Sequence, residues 1–293
     1  MDYVKVIEDK LKEYLPNNEE RKALIEKCLV DSMEYSLEAG GKRIRPTLVI
    51  LFAKAFGADV NSALPFACGI EMIHTYSLIH DDLPCMDDDD LRRGKPSNHK
   101  AFGEDIALLA GDALLTNAFS VMLSSDTVAL VGAEKAVKCT GVMADYAGYK
   151  GMIGGQVIDL LSEHKKVSLD VLKNMHQKKT GALIKSACTM GAIIGGATDE
   201  EIGFATAYGE NLGLAFQIMD DILDVTSSVE ELGKPIGSDK ENEKSTFVTL
   251  LGLEECKKLV KEYTANAINA LSNLKGDTEE LKAIALKMSE RKN

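Results

Sequence analysis

Apolar residues recur with the period of an α-helix along almost the whole chain. Val4, Ile7 and Leu11 form one such stripe, because residues three or four apart lie on the same face of a helix. We predict helices over residues 3–14, 20–38, 47–56, 62–80, 104–124, 127–149, 152–162, 169–194, 199–225, 246–271 and 277–290. The helices over 47–56 and 62–80 are apolar on most faces, which indicates burial inside a large bundle. No alternating pattern is long enough for a strand, so the sequence predicts an all-α fold in one domain spanning residues 1–293.

Polar residues mark where several of these helices begin and end. Gly40 and Gly41 stop the second predicted helix, and Thr198 to Glu201 has the form of a capping box. Residues 227–245 break the helical pattern with Gly, Pro, Ser and charged side chains. A loop of this length predicts a functional lid.

Composition narrows the class of protein. The chain of 293 residues is 45% hydrophobic and 27% charged, as in ordinary globular proteins. Its net charge of −12 argues against nucleic acid or an anionic membrane as the main partner. No basic, apolar leader begins the chain, no uninterrupted apolar run reaches the length of about 18 residues that spans a bilayer, and the cysteines are scattered. We predict a cytoplasmic protein.

One stretch concentrates negative charge. Six aspartates occur between Asp81 and Asp90, directly after an apolar helix. Pro84 disfavours helix at Leu83, so the helix should end near Asp82, and the loop should bring Asp87 back. Like charges crowded at the negative end of a helix repel one another unless a cation lies among them. A solvated acidic loop is the alternative; an EF-hand is excluded by the spacing.

A second acidic motif lies far away in the sequence. Asp220, Asp221 and Asp224 occur inside an apolar helix, where ionised carboxylates are costly unless they are paired or bind metal. Asp220 and Asp224 share one helix face, and Gln217 lies on nearly the same side. A salt-bridged helix end is the alternative. Two such motifs predict two walls of one metal site.

Cations accompany the aspartates. Lys42, Arg43 and Arg45 lie on a tight turn, and Arg92 and Arg93 follow the acidic loop. Arginine holds phosphate through paired hydrogen bonds, which favours a phosphorylated ligand. Neither nucleotide-binding glycine motif is present, and no nucleophilic triad is readable.

Five motifs, taken together and in this order, carry a family resemblance: GGKRIRP, HDDLPCMDDDDLRRGKP, GGQVIDL, KKTGALI and FQIMDDILDV. With them the chain resembles the short-chain trans-polyprenyl diphosphate synthases over nearly its whole length, and within that family the bacterial farnesyl diphosphate synthases. The resemblance implies the isoprenoid synthase fold, a helical bundle around a deep central cavity. It also implies a homodimer that condenses isopentenyl diphosphate with an allylic diphosphate.

The resemblance also assigns roles to residues. It implies that three Mg²⁺ ions are held by Asp81, Asp82, Asp87, Asp220, Asp221 and Asp224. The residues that match contacts to the allylic diphosphate are Arg92, Lys179, Lys234 and Lys244. Those that match the isopentenyl diphosphate pocket are Lys42, Arg45, His74 and Arg93. Thr180 and Gln217 match the polar groups beside the allylic carbon, where they would steady a carbocation. We expect Asp88, Asp89 and Asp90 to support the loop and to orient Arg92 and Arg93.

Product length should depend on the helix that leads into Asp81. Ser77 lies four residues before Asp81 and shares its face, and Tyr76 lies five before. In the family, an aromatic residue at this fifth position with a two-residue insertion in the first motif goes with a C15 product. Tyr76 therefore favours farnesyl diphosphate. The alternatives are a geranylgeranyl diphosphate synthase, a terpene cyclase, a non-catalytic synthase subunit and an acidic metal-buffering protein.

Overall fold

The computed structural model describes residues 1–226 and 245–290. The helices of the N-terminal half are α1 Tyr3–Glu13, α2 Asn18–Lys22, α3 Lys27–Leu37, α4 Ile44–Ala55, α5 Val60–Asp81, α6 Asn98–Phe102, α7 Glu104–Met122 and α8 Ser125–Val131. The remaining described helices are α9 Ala133–Ala147, α10 Met152–Ser162, α11 Leu169–Lys179, α12 Gly181–Gly195, α13 Asp199–Thr226, α14 Phe247–Leu251, α15 Leu253–Leu271 and α16 Glu279–Ser289. Two short antiparallel strands, β1 Leu91–Arg92 and β2 Lys95–Pro96, form a hairpin. The predicted all-α class is confirmed.

The chain divides into two compact units. The first unit comprises Met1–Ile50 and Val60–Thr140, and the second comprises Leu51–Asp59 and Gly141–Asn293. The single domain over residues 1–293 stays a prediction.

The first unit is built on α5. This helix is buried along most of its length and packs against α7, with α1, α3 and α8 as further neighbours. Helix α7 is long and apolar enough to cross a membrane, by length and composition alone. Its buried small residues, such as Ala107, Ala110 and Gly111, pack along α5.

The second unit is built on α13, which packs against α12 and α15. An apolar cluster joins α11, α13, α14 and α15, and it consists of Leu172, Met175, Ile218, Met219, Ile222, Leu223, Phe247, Cys256 and Val260. The aspartates of the second motif lie on α13 beside this cluster. The predicted capping box at its start is confirmed, because the Thr198 amide donates to Glu201 at 2.9 Å and the Glu201 amide donates to Thr198 Oγ1 at 3.3 Å.

Several predicted helices are interrupted. The helices predicted over 127–149 and 246–271 break at Gly132 and Gly252, whose φ values of +85° and +82° end a right-handed helix. The helix predicted over 20–38 is divided into α2, which begins at a capping box formed by Asn17 and Glu20 and ends at Lys22, and α3, which begins at Lys27. The helix predicted over 169–194 breaks at Thr180. The hairpin was not predicted, since two residues per strand are too few to show alternation.

Candidate active site

The first aspartate motif lies at the C-terminal end of α5. The helix ends at Asp81, as Pro84 predicts, and the Asp87 amide donates to the Asp81 carbonyl oxygen at 2.9 Å. The loop therefore turns back on the helix end, where the partial charge is negative. Carboxylate oxygens are the donors that a hard cation such as Mg²⁺ prefers, so the aspartates of this loop are candidate ligands.

Arg92 binds the buried carboxylate of Asp82. Its Nε lies 2.9 Å from Asp82 Oδ1 and 3.2 Å from Oδ2, and its Nη2 also contacts Asp82 and lies 3.1 Å from Asp89 Oδ2. Burial raises the pKa of Asp82, and the hydrogen bonds from Arg92 oppose that shift.

Among the residues that the structure describes, no three His, Cys, Asp or Glu side chains converge closely enough to enclose a metal ion.

The three aspartates after Asp87 have separate partners. Asp89 contacts Arg92, as expected, but Asp90 pairs with Lys100 at 2.8 Å and Asp88 lies 4.0 Å from His99 Nε2. Arg93, which we expected these aspartates to orient, instead donates to the carbonyl oxygen of Gly40. That contact attaches Arg93 to the turn that precedes α4.

This turn and the first turn of α4 carry basic side chains beside His74 of α5. Arg45 Nη1 lies 3.4 Å from His74 Nε2, while Lys42 is exposed beside them on the turn. Burial and the charges of Arg45 and Arg93 lower the pKa of His74 well below its usual range, so the ring is neutral at pH 7. Neutral His74 and the arginine N–H groups therefore offer hydrogen-bond donors to an anion at this face.

Tyr76 and Ser77 lie on α5 one turn before the aspartates. Tyr76 is 5% exposed, and its hydroxyl has no hydrogen-bond partner among the described residues. Burial, with a smaller effect of Asp81, raises the pKa of Tyr76 to about 12. Ser77 Oγ donates to the His74 carbonyl oxygen at 2.9 Å. Ser77 thus presents a satisfied hydroxyl, and Tyr76 an aromatic ring whose polar end is unsatisfied.

A histidine next to the first motif fixes the ring of Tyr76. His80 contacts Tyr76 edge to face with 5.6 Å between ring centroids, and its Nε2 lies 3.0 Å from the Leu108 carbonyl oxygen. The imidazole ring of His80 fits against α7 only because that helix has a glycine at this position. A Cβ at Gly111 would lie 2.0 Å from His80 Nε2. The sequence analysis missed His80 and Gly111, which no spacing rule connects.

The second unit contains a cavity of about 200 Å³ that brings four predicted site residues together. These are Lys179, Thr180, Gln217 and Asp221. The Thr180 hydroxyl donates to Gln217 Oε1 at 3.0 Å, and the Phe247 amide donates to Asp221 Oδ2 at 2.7 Å. Asp221 thereby anchors the start of α14. Asp220 is half-buried and Asp224 is buried on the same helix.

Lys179 has a partner that the sequence analysis did not assign. Its Nζ lies 2.7 Å from Asp159 Oδ2, and Asp159 is buried on α10. The close approach requires glycine, because a Cβ at Gly155 would lie 2.2 Å from the Lys179 backbone nitrogen. The GGQVIDL motif contained this signal, since Gly155 and Asp159 are one turn apart. His176 also lines the cavity; its burial lowers its pKa to about 4.

The remaining predicted contacts, Lys234 and Lys244, and nearly all of the predicted lid lie outside the described residues.

The family model "Polyprenyl synthetase" matches residues 26–286. The chain belongs to the polyprenyl synthetase family. The resemblance inferred from the five motifs is therefore confirmed.

Individual members of this family are similar to the chain over most of its length. The farnesyl diphosphate synthase of Bacillus subtilis (strain 168) is 44% identical over 93% of this chain and 90% of its own. The chloroplastic geranylgeranyl pyrophosphate synthase 7 of Arabidopsis thaliana is 45% identical over 90% of this chain and 76% of its own. The crystal structure of a geranyltransferase from Helicobacter pylori, complexed with magnesium and isoprenyl diphosphate, is 34% identical and superimposes with a TM-score of 0.83, covering 97% of this chain and 93% of that one.

Proposed function

We propose that this polyprenyl synthetase condenses isopentenyl diphosphate with dimethylallyl and then geranyl diphosphate, giving (2E,6E)-farnesyl diphosphate and pyrophosphate. Its family membership and its similarity to the Bacillus subtilis farnesyl diphosphate synthase support this function. The observation that carries the proposal is the pair of aspartate motifs, each in a unit that also supplies cations. A plain metal-binding protein would not need Arg45, Arg93 and Lys179 in these positions.

The two diphosphates would bind different cations. Lys42, Arg45, His74 and Arg93 would receive isopentenyl diphosphate, because their cluster offers N–H donors beside a neutral imidazole. The allylic diphosphate would bind Arg92 and Lys179, with Lys234 and Lys244 as further predicted contacts. Arg92 and Lys179 already pair with Asp82 and Asp159, so their side chains are held before the substrate arrives.

Metal ions would assist departure of the allylic diphosphate. The aspartates of both motifs supply hard oxygen donors, and the predicted complement is three Mg²⁺ ions. When bound, the ions neutralise the negative charge that develops on the leaving diphosphate. Support comes from the Helicobacter pylori geranyltransferase, which was crystallised with magnesium and isoprenyl diphosphate.

Thr180 and Gln217 would act on the allylic carbon after ionisation. Because the Thr180 hydroxyl donates its proton to Gln217 Oε1, the lone pairs of the Thr180 oxygen remain available. Preorganised oxygen dipoles stabilise a carbocation without reorganising during the reaction. The double bond of isopentenyl diphosphate then attacks the cation, and the proton that is lost passes to the released pyrophosphate.

Product length separates the proposed enzyme from its nearest alternative, a geranylgeranyl diphosphate synthase. That alternative is kept because the Arabidopsis thaliana enzyme with the C20 name is as similar in sequence as the bacterial C15 enzyme. Tyr76 favours C15. Its ring is buried and held by His80, so it can close the path of a growing chain along α5.

A homodimer in the cytoplasm completes the proposal. Apolar side chains on α7 and α8 are exposed in the isolated chain, including Leu108 at 47%, Leu109 at 51% and Leu130 at 52%. Apolar side chains that stay exposed in one chain can be covered by a second copy. Analytical ultracentrifugation should give twice the monomer mass, and Leu109→Glu should give the monomer.

The decisive experiment incubates the purified protein with Mg²⁺, labelled isopentenyl diphosphate and dimethylallyl diphosphate. Chromatography should show a C15 product, and chelation of Mg²⁺ should abolish it. A C20 product would favour the geranylgeranyl synthase. No elongated product from the intact protein would contradict the prenyltransferase function and favour a non-catalytic subunit.

A further inference from the structure

Arg43 has an unusual environment for an arginine on a turn. Its side chain is 1% exposed, and its backbone φ is +46°, a left-handed conformation that residues other than glycine rarely adopt. It follows Lys42 and precedes Arg45, which are both assigned to the isopentenyl diphosphate pocket. Strain of this kind persists only where surrounding contacts determine the conformation.

Those contacts come from three different helices. Arg43 Nη1 donates to Glu71 Oε1 at 2.5 Å, and Nη2 donates to the Leu37 carbonyl oxygen at 2.5 Å. Nε lies 3.3 Å from Glu8 Oε1. The guanidinium therefore joins the turn to α5, to the C-terminal end of α3 and to α1. Glu71 is itself buried, with a side chain that is 3% exposed.

The same face of α5 carries the predicted pocket. Glu71 and His74 are three residues apart and therefore neighbours on the helix surface. Glu71 binds Arg43, and His74 contacts Arg45 at 3.4 Å. Two contacts thus join α5 to the turn and to the first residues of α4. The Arg43–Glu71 ion pair fixes the position at which Arg45 meets His74. Glu71 also raises the pKa of Arg93, opposing the larger lowering effect of burial.

We propose that Arg43 and Glu71 are positioning residues for isopentenyl diphosphate: their buried ion pair holds the turn so that Lys42 and Arg45 meet the diphosphate beside His74. Neither residue contacts the substrate. The inference rests on the proposed function, because it takes the substrate of this cluster from it. A displacement of about 1 Å in a binding group can reduce the rate by up to 10²-fold, so the pair should matter for this substrate.

A double variant separates positioning from folding. Removing one partner of a buried ion pair leaves an uncompensated charge, whereas replacing both with apolar residues is often neutral for stability. Arg43→Met with Glu71→Leu should therefore fold with a thermal midpoint close to that of the wild type. We expect its KM for isopentenyl diphosphate to rise about tenfold, with KM for geranyl diphosphate changed less than about twofold.

The chain offers a matched control in the same unit. Arg21 forms a similar paired contact with Glu34, at 2.5 and 2.8 Å, and neither residue belongs to the predicted pocket. Arg21→Met with Glu34→Leu should leave both KM values unchanged. Calorimetric titration with isopentenyl diphosphate alone should repeat the result, with a dissociation constant about tenfold higher for the Arg43/Glu71 double variant only.

Several results would overturn the inference. These are an unchanged KM and dissociation constant for isopentenyl diphosphate in the Arg43/Glu71 variant, equal rises for both substrates, or the same rise in the Arg21/Glu34 control. If the double variant does not fold, Glu71→Gln, which keeps an oxygen acceptor for Arg43, should show the same selective effect at a smaller size. Failure of the wild-type protein to elongate any allylic diphosphate would instead overturn the proposed function.

Discussion

Among the described residues, the two units gather different numbers of cations at their predicted sites. In the first unit, the charges of Arg43, Arg45 and Arg93 all act on His74. Arg43 pairs with the buried Glu71, and exposed aspartates follow the end of α5. In the second unit, Lys179 has Asp159 as its partner. The first unit thus gathers several arginines near one histidine, whereas the second places a single lysine against a single carboxylate.

A ligand therefore meets a different electrostatic environment in each unit. An anion that binds the arginine cluster relieves repulsion among cations that were brought together by the fold. A ligand that binds Lys179 must instead share or displace Asp159, and the geometry of Lys179 is set in advance. We therefore expect loss of Arg45 or Arg93 to affect charge balance. Loss of the Lys179–Asp159 pair should instead affect orientation, as we propose for the Arg43–Glu71 pair.

The largest effect should come from the first aspartate motif. Asp81→Asn keeps the size of the side chain but removes the negative charge that we expect to bind Mg²⁺. Its kcat should fall about 10³-fold. Steady-state assays with labelled isopentenyl diphosphate measure the change. Asp90→Asn is the matched control, because Asp90 is exposed and pairs with Lys100. Its kcat should stay within about twofold of the wild type, since exposed ion pairs contribute little. Equal losses in both variants would remove the distinction between ligand and loop aspartates.

The next effect tests the pairing in the second unit. Lys179→Gln removes the cation assigned to the allylic diphosphate, and kcat/KM for geranyl diphosphate should fall about 10²-fold. Asp159→Asn keeps the cation and loses only its charged partner, so its loss should be smaller, about tenfold. KM for isopentenyl diphosphate should not change in either variant. A rise in that KM as large as the loss for geranyl diphosphate would show that the two clusters do not serve different substrates.

Product length tests a residue of the first unit that carries no charge. Tyr76→Ala should lengthen the product beyond C15, because it removes the ring that closes the path along α5, and Ser77→Phe should shorten it. Chromatography of the products from each variant gives the answer. Tyr149→Ala is the control, since Tyr149 is 77% exposed and should have no influence on length. Unchanged C15 product from both Tyr76→Ala and Ser77→Phe would disprove this role.

Local signals made most of the fold and part of the candidate site predictable. Helical periodicity identified amphipathic helices such as α1, whose burial repeats every three or four residues. Continuous apolar runs identified core helices such as α5. The aspartate motifs were visible because charge is rarely crowded within a few positions of one chain. Pro84 gave the end of α5 to within one residue.

Contacts between distant residues could not be read in this way. The pairs Arg43–Glu71 and Lys179–Asp159 join residues 28 and 20 positions apart, and no pattern within one helix reveals them. The sequence analysis placed Gly132 and Gly252 inside helices, whereas their positive φ values end them. A glycine can lie within a helix or end it, and the sequence does not reveal the φ value that decides between the two. The lack of space for a Cβ at Gly111 and Gly155 likewise becomes apparent only when the neighbouring side chain or backbone is in place.

The smallest effects should come from adding one carbon atom in each unit. In Gly111→Ala the new Cβ would lie 2.0 Å from His80 Nε2, and in Gly155→Ala it would lie 2.2 Å from the Lys179 backbone nitrogen. Both should lower the free energy of unfolding by about 1–3 kcal/mol, since overpacking forces neighbours to move. Urea denaturation measures this loss.

The same two variants should differ in function. Gly111→Ala displaces His80, which holds the ring of Tyr76, so it should broaden the product lengths and leave KM for geranyl diphosphate unchanged. Gly155→Ala shifts Lys179, so it should raise that KM and leave the product at C15. Gly141→Ala is the control: it lies within α9 with no atom within 4 Å of the new Cβ, and it should stabilise the protein by up to about 1 kcal/mol. If Gly111→Ala and Gly155→Ala gave the same functional change, the first unit would not set product length separately from allylic diphosphate binding in the second.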